Sequence, residues 1–239
     1  MPIDPSAAIP PDTPLSKLPN FDPREVPVVA VDDHLPAIDT QRLTPHALRT
    51  RFAWPPAWEA ELRHEPRFTE RQTAPAAVLV PVVMRERPMV LLTQRTAHLS
   101  THSGQVAFPG GKRDDTDLDA ADTALREAHE EIGLDRSLAE VLGVLPTYTT
   151  GTMFVITPVI ALVQADYRLA LNAHEVADAF EVPLDFLMNP AHHRRHAIEF
   201  GGALREWFSM PYHDEAGRER FIWGATAGML RNFYRFLAA

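Results

Sequence analysis

GGKRDDTDLDAADTALREAHEEIGL, residues 110–134, is the stretch on which the reading of this chain turns. Two glycines open it, acidic residues follow, and a helix is expected over 119–132. Gly133 should end that helix, because glycine accepts the left-handed backbone found just past a helix C-terminus. On a helical wheel Ala121, Ala124, Leu125, Ala128 and Ile132 form one apolar stripe. Glu127, Glu130 and Glu131 share another face at spacings of three and four, where side chains are neighbours. A single Glu-rich helix face is most often simply solvated. Two features favour a bound cation instead. Arg126 and His129 are the nearby residues of the helix that could offset three carboxylates. Gly110 and Gly111 allow close backbone approach and can offer a carbonyl to a metal or an amide to phosphate. Oxygen-only ligands suit Mg²⁺ or Mn²⁺ better than zinc. Such an ion at a diphosphate neutralises phosphate oxygens and activates water, and a further carboxylate can take the proton.

Upstream, AAVLVPVVM (76–84) and MVLLTQ (89–94) read as a hairpin across RERP, and QVAF (105–108) as a short strand. Downstream, strands are expected near 141–147 and 153–165, and a short helix over 183–189. A second hairpin is expected over 198–210, turning at Gly201–Gly202, and a closing helix over 224–238. Of the 22 prolines, 14 fall in the first 75 residues. Residues 1–38 therefore read as a Pro-rich arm, extended or disordered. Residues 39–73 read as a short helical extension, with one helix over 44–52 (Thr44 as N-cap, Pro45 in the first turn) and a second over 57–64. Residues 74–239 form the main domain. The arm's composition is compatible with folding over the core, with pairing in a homodimer, or with disorder.

The chain has 239 residues, 45% of them hydrophobic, enough for one sizeable core. No apolar run is long enough to span a membrane. The N-terminus lacks the basic-then-apolar pattern of a secretory signal, so a cytoplasmic location is expected. The absence of cysteine excludes disulfide scaffolds, thiolate-bound zinc, iron–sulfur clusters and thiol catalysis. A net charge of −9 leaves no basic footprint for nucleic acid, although a divalent cation would still let an acidic protein take an anionic small molecule.

The acidic segment resembles the Nudix hydrolase signature: a Gly, an acidic residue, then Arg-Glu-hydrophobic-any-Glu-Glu-any-Gly-hydrophobic. REAHEEIGL (126–134) matches every fixed position. The first half departs, with Asp117 in place of Glu and one extra residue before Arg126; that variant is similar to the coenzyme A diphosphatase subfamily. The resemblance implies an α/β/α sandwich with a mixed β-sheet. It implies Mg²⁺ or Mn²⁺ held by Glu127, Glu130 and Glu131, for which the Gly111 carbonyl is a further candidate ligand, and Arg126 orienting a neighbouring Glu.

LLTQRTAHLSTHSGQVAFPGG (91–111) looks like the motif of the same subfamily through Leu91, Leu92, Thr93, Arg95, Gly104, Phe108, Pro109, Gly110 and Gly111. Thr96 stands where Ser or Ala is usual, and Ser100 where a basic residue is usual. Arg95, His98 or His102 could replace that missing phosphate contact. Candidate substrate-binding residues are Arg95, His102, Gly104, Phe108, Gly110 and Gly111. The implied reaction hydrolyses coenzyme A, and acyl derivatives of it, to 3′,5′-ADP and 4′-phosphopantetheine or its acyl form. A diphosphatase for ADP-ribose or a dinucleotide such as NADH, and a binding module without turnover, remain alternatives. Glu175 and Glu181 read as structural or solvated, HHRRH (192–196) as a solvated turn, Trp223 as core, and Tyr148 with the 149–152 loop as either pocket lining or a plain turn.

Overall fold

The computed structural model describes residues 21–67, 69, 71–96, 104–200 and 203–239. The strands are β1 (Val28–Val31), β2 (Ala74–Val83), β3 (Met89–Arg95), β4 (Val106–Ala107), β5 (Gly110–Lys112), β6 (Ala139–Val144), β7 (Tyr148–Thr149), β8 (Phe154–Val163), β9 (Val176–Pro183), β10 (Arg194–Phe200), β11 (Ala203–His213) and β12 (Glu219–Trp223). The helices are α1 (Pro45–Ala53), α2 (Ala120–Ile132), α3 (Leu184–Leu187) and α4 (Gly224–Ala238).

β2 is the spine. Its near-continuous apolar sequence is that of a strand covered on both faces. It runs parallel to β8 over its whole length, from Ala74↔Phe154 to Val83↔Val163. On its other edge it meets β3 antiparallel only at Val82↔Val90 and Val83↔Met89. The two strands then part, and the chain 104–112 fills the gap: β4 pairs with β3, and β5 with Ala76–Val78 of β2. β9 adds to the far edge of β3, and β6 and β7 add to β8. The result is an eight-stranded mixed sheet.

The alternation of β2 assigns its two faces. Ala77, Leu79 and Val83 pack with Ala124, Ala128 and Ile132 of α2. Val78, Val80 and Val82 pack with Leu48 of α1, Leu230, Phe233 and Leu237 of α4, and Phe208, Met210 and Ile222 of β11 and β12. The layers are therefore α2, the mixed sheet, and the other helices together with a second, four-stranded antiparallel sheet in the order β1-β10-β11-β12.

Within residues 1–38, Val28–Val31 is extended and lies on the core as an edge strand on β10; residues 1–20 lie outside the described residues, as does the Gly201–Gly202 turn. Two expectations need correction. No helix covers 57–64. That segment pairs at long range instead: the Thr149 N–H donates to the Arg63 carbonyl (2.8 Å) and the Glu65 N–H to the Thr149 carbonyl (2.8 Å). Asn232 brackets Leu62, accepting from its N–H (3.0 Å) and donating to its carbonyl (2.6 Å). A two-turn helix is marginal on its own, so these partners decide the conformation. Nor is HHRRH a solvated turn. His193 and His196 are buried, and Arg195 reaches Asp32 and Glu61 (2.9 and 2.8 Å). Arg231 of α4 joins the same two carboxylates at 2.8 and 2.7 Å. This ionic cluster fastens residues 32 and 61 to the core.

Candidate active site

Asp119 caps α2 by accepting the Asp122 N–H (2.8 Å), and Gly133 ends it at φ +69°. Those two caps set its ends, and the packing of Ala124, Ala128 and Ile132 against β2 sets its rotation and hence the aim of its carboxylates. Glu131 turns inward beside Ile132; its side chain is 5% exposed and one oxygen accepts the Gly110 N–H (3.1 Å). Gly110 must be glycine, because a Cβ there would lie 2.4 Å from the Ala77 carbonyl oxygen of β2. Glu127 lies directly over Gly111, where a Cβ would fall 2.5–2.7 Å from its carboxylate atoms. The paired glycines thus clear space between β2 and α2 for two carboxylates.

Glu130 is exposed and points elsewhere. Nη1 of Arg126 lies 3.0 Å from Glu127 and 3.2 Å from Glu130. The other edge of the guanidinium grips the buried Asp117 with two hydrogen bonds, 2.8 and 2.9 Å. Asp117 is therefore an anchor for Arg126, and Arg126 in turn sets the two glutamates. Among the described residues, no three His, Asp or Glu side chains converge closely enough to enclose an ion. Glu127 and Glu131 flank the glycines, while Glu130 is the exposed member of the three.

Arg95 adds a cation that the helix alone did not reveal, with Nη1 3.7 Å from Glu131. Its buried Nε has no hydrogen-bond partner among the described residues. Glu175, at the foot of β9, is close enough to both Glu127 and Glu131 to raise their pKa values. Burial is the main reason Glu131 is pushed up to about 7. The Gly110 N–H and Arg95 pull against it, and Glu175 and Glu127 push further. Glu127 is also raised, by burial first. A pair of buried carboxylates drawn toward protonation fits a hard divalent cation, which takes oxygen ligands.

This has a sign. Native Glu131 keeps its proton up to about pH 7, whereas the unfolded carboxyl loses it near 4.5. The native state therefore binds more protons in that window, and metal-free stability falls as pH rises through it. The shift is on the order of 3 kcal/mol. Urea unfolding of chelator-treated protein at a series of pH values should show this decline, and Glu131→Gln should flatten it; parallel curves would contradict the assignment.

A cavity of about 460 Å³ opens beside the glycines. Gly110, Gly111, Lys112, Arg95 and Phe108 line it, Phe108 doing so from the core. Gly104 is not a lining residue; at φ +68° it turns the chain ahead of β4. His98, Ser100 and His102 lie outside the described residues. Tyr148, Thr150 and Thr152 line the cavity rather than forming a plain turn, and Trp223 lines it rather than packing in the core. His64, Glu65 and Trp207 also line it and were not signalled by any local pattern. Glu181 is structural, paired with Arg85 at 2.6 Å.

A mixed sheet that parts around a Gly-Gly loop, beneath a helix bearing buried carboxylates, defines an α/β protein with an acidic site beside a cavity. The NUDIX domain model matches residues 73–208. The Nudix hydrolase NudL of Salmonella newport, itself described as uncharacterized, is 40% identical over 195 residues, covering 81% of this chain and 95% of that protein. NudL of Escherichia coli K12 is 42% identical over 159 residues, 65% of this chain and 79% of that one. Among solved structures, the Nudix hydrolase RenU of M. smegmatis is 27% identical with a TM-score of 0.39, over 48% of this chain and 72% of that one. The chain belongs to the Nudix hydrolase family, enzymes that hydrolyse pyrophosphate bonds in nucleoside diphosphate derivatives and generally use divalent cations. Among the described residues, no helix is long and apolar enough to cross a membrane.

Proposed function

We propose that this protein is a Mg²⁺- or Mn²⁺-dependent diphosphatase of coenzyme A and its acyl derivatives. The observation that carries the hydrolytic part is the pair Glu127 and Glu131, held against Gly111 and Gly110 beside Arg95. The coenzyme preference is supported by the 91–111 motif, whose described residues form β3, β4 and β5 around that pair.

Glu127, Glu131 and the Gly111 carbonyl would hold the cation, with Glu130 completing the set on release from Arg126. When bound, the cation neutralises diphosphate oxygens and lowers the pKa of water. Arg126, locked on Asp117, positions Glu127. Arg95, which lines the cavity, would donate to a phosphate oxygen. One carboxylate of the α2 cluster accepts the proton of the attacking water. The water oxygen bonds to one phosphorus, and the bridging oxygen leaves with the other phosphate. The products are 3′,5′-ADP and 4′-phosphopantetheine.

Ser100, standing where a basic residue would meet phosphate, supports a second reading in which ADP-ribose or NADH is preferred. The test is a product assay across coenzyme A, acetyl-coenzyme A, ADP-ribose and NADH, with and without Mg²⁺ or Mn²⁺. Metal-dependent release of 3′,5′-ADP from coenzyme A, faster than any cleavage of ADP-ribose or NADH, is expected. Cleavage of ADP-ribose alone would overturn the coenzyme assignment, and no cleavage of any of them would overturn the enzymatic one.

A further inference from the structure

Two walls of the cavity differ sharply in chemistry. One is the segment 62–66, from the N-terminal extension: Leu62, His64, Glu65 and Pro66 line the cavity. It is a fixed wall. Asn232 brackets Leu62, Glu61 is held by Arg195 and Arg231, and residues 63 and 65 pair with the backbone of Thr149. The Glu65 carboxylate is itself positioned, accepting the Gly151 N–H at 2.9 Å and the Tyr148 hydroxyl at 3.3 Å. Tyr148 is set in turn by the close approach of Gly228 on α4, where a Cβ would come within 3.0 Å of the ring. The other wall is aromatic and carries one charge of each sign: Trp207, Trp223, Arg205 and Glu206. The two indoles meet edge to face with centroids 6.3 Å apart. His196 stacks on Trp207 at 5.6 Å and is held by the Val26 carbonyl and the Ser209 hydroxyl.

An ionised carboxylate only accepts hydrogen bonds. It repels a further phosphate and takes amide N–H and hydroxyl groups. Indole faces stack on nucleobases, and a guanidinium takes phosphate. Gly110 and Gly111 line the same cavity, so a diphosphate there has one substituent for each wall. We propose that the cavity fixes the orientation of its substrate. The amide- and hydroxyl-bearing chain of the coenzyme runs along residues 62–66 and is read by Glu65, and the phosphorylated nucleoside lies against Trp207, Trp223 and Arg205. This rests on the coenzyme A reading above. It makes the N-terminal extension, which precedes the 73–208 family match, a specificity element of the enzyme.

The two halves of the substrate separate the walls. Isothermal titration of the full chain with 4′-phosphopantetheine and with 3′,5′-ADP in Mg²⁺ is compared for wild type, Glu65→Ala and Trp223→Leu. Glu65→Ala should weaken 4′-phosphopantetheine about three- to tenfold, the scale of one or two lost hydrogen bonds, and leave 3′,5′-ADP unchanged. Trp223→Leu should do the reverse, by about tenfold, the scale of one lost stacking contact. In each variant the ligand that is unaffected certifies the fold. The opposite pairing, or variants that weaken both ligands equally or neither, would overturn the orientation while coenzyme A hydrolysis by the wild type leaves the function standing. Wild type that does not hydrolyse coenzyme A would overturn both.

Discussion

Glu131→Gln is expected to lower kcat for coenzyme A by about 10²–10⁴-fold, the scale of losing an essential carboxylate, while the protein stays folded. Glu131 is 4% exposed and is held by the Gly110 N–H, so its oxygens are buried behind the glycines rather than in solvent. The amide keeps the volume and one acceptor for Gly110 but removes the charge. It also removes a carboxylate whose burial disfavours ionisation, so stability at pH 8 should be unchanged or higher. Loss of activity with equal or higher stability separates a chemical role from a structural one. Turnover within about twofold of wild type would be far below the effect of losing such a group and would reject the metal assignment.

Arg231→Ala is expected to cost about 1.5–3 kcal/mol of stability, the scale of lost hydrogen bonds to charged groups, because it removes the most deeply buried cation bonded to Asp32 and Glu61. Arg231 is 1% exposed and serves Asp32 (2.8 Å), Glu61 (2.7 Å) and His193 Nδ1 (3.1 Å). Arg195 still reaches both acids, but from a more exposed position. The effect should extend beyond stability. Glu61 immediately precedes the cavity wall at 62–66, so loosening it should raise KM for coenzyme A more than it lowers kcat. Urea unfolding followed by steady-state kinetics checks both. A loss below about 1 kcal/mol would be that of a surface pair and would mean the cluster is not what fastens the extension.

The parts of this molecule that local chemistry specifies were readable. The α2 periodicity and the stop at Gly133 placed the helix and its acidic face, and Thr44 with Pro45 placed α1. α4 is apolar enough around its circumference to declare itself as buried. What escaped reading depended on partners distant in sequence. Residues 57–64 have helix-compatible composition, yet Thr149 and Asn232 hold the stretch 62–65 extended. The basic residues of 192–196 look solvated until Asp32, Glu61 and Arg231 arrive from three other segments. Glu65 and Trp207 carry no local signal, because their place in the cavity is created by β7 and by the second sheet. The three glutamates read alike on a wheel, and only the two glycines separate Glu127 and Glu131 from Glu130.

The most direct test is calorimetric titration of Mn²⁺ onto the chelator-treated protein at pH 8, for wild type and for Glu127→Gln/Glu131→Gln. The wild type should bind the ion saturably, and the double variant should lose that binding while keeping its melting temperature. Absence of saturable Mn²⁺ binding to the wild type, or equal binding to the variant, would contradict the claim that these carboxylates hold a cation against the diphosphate.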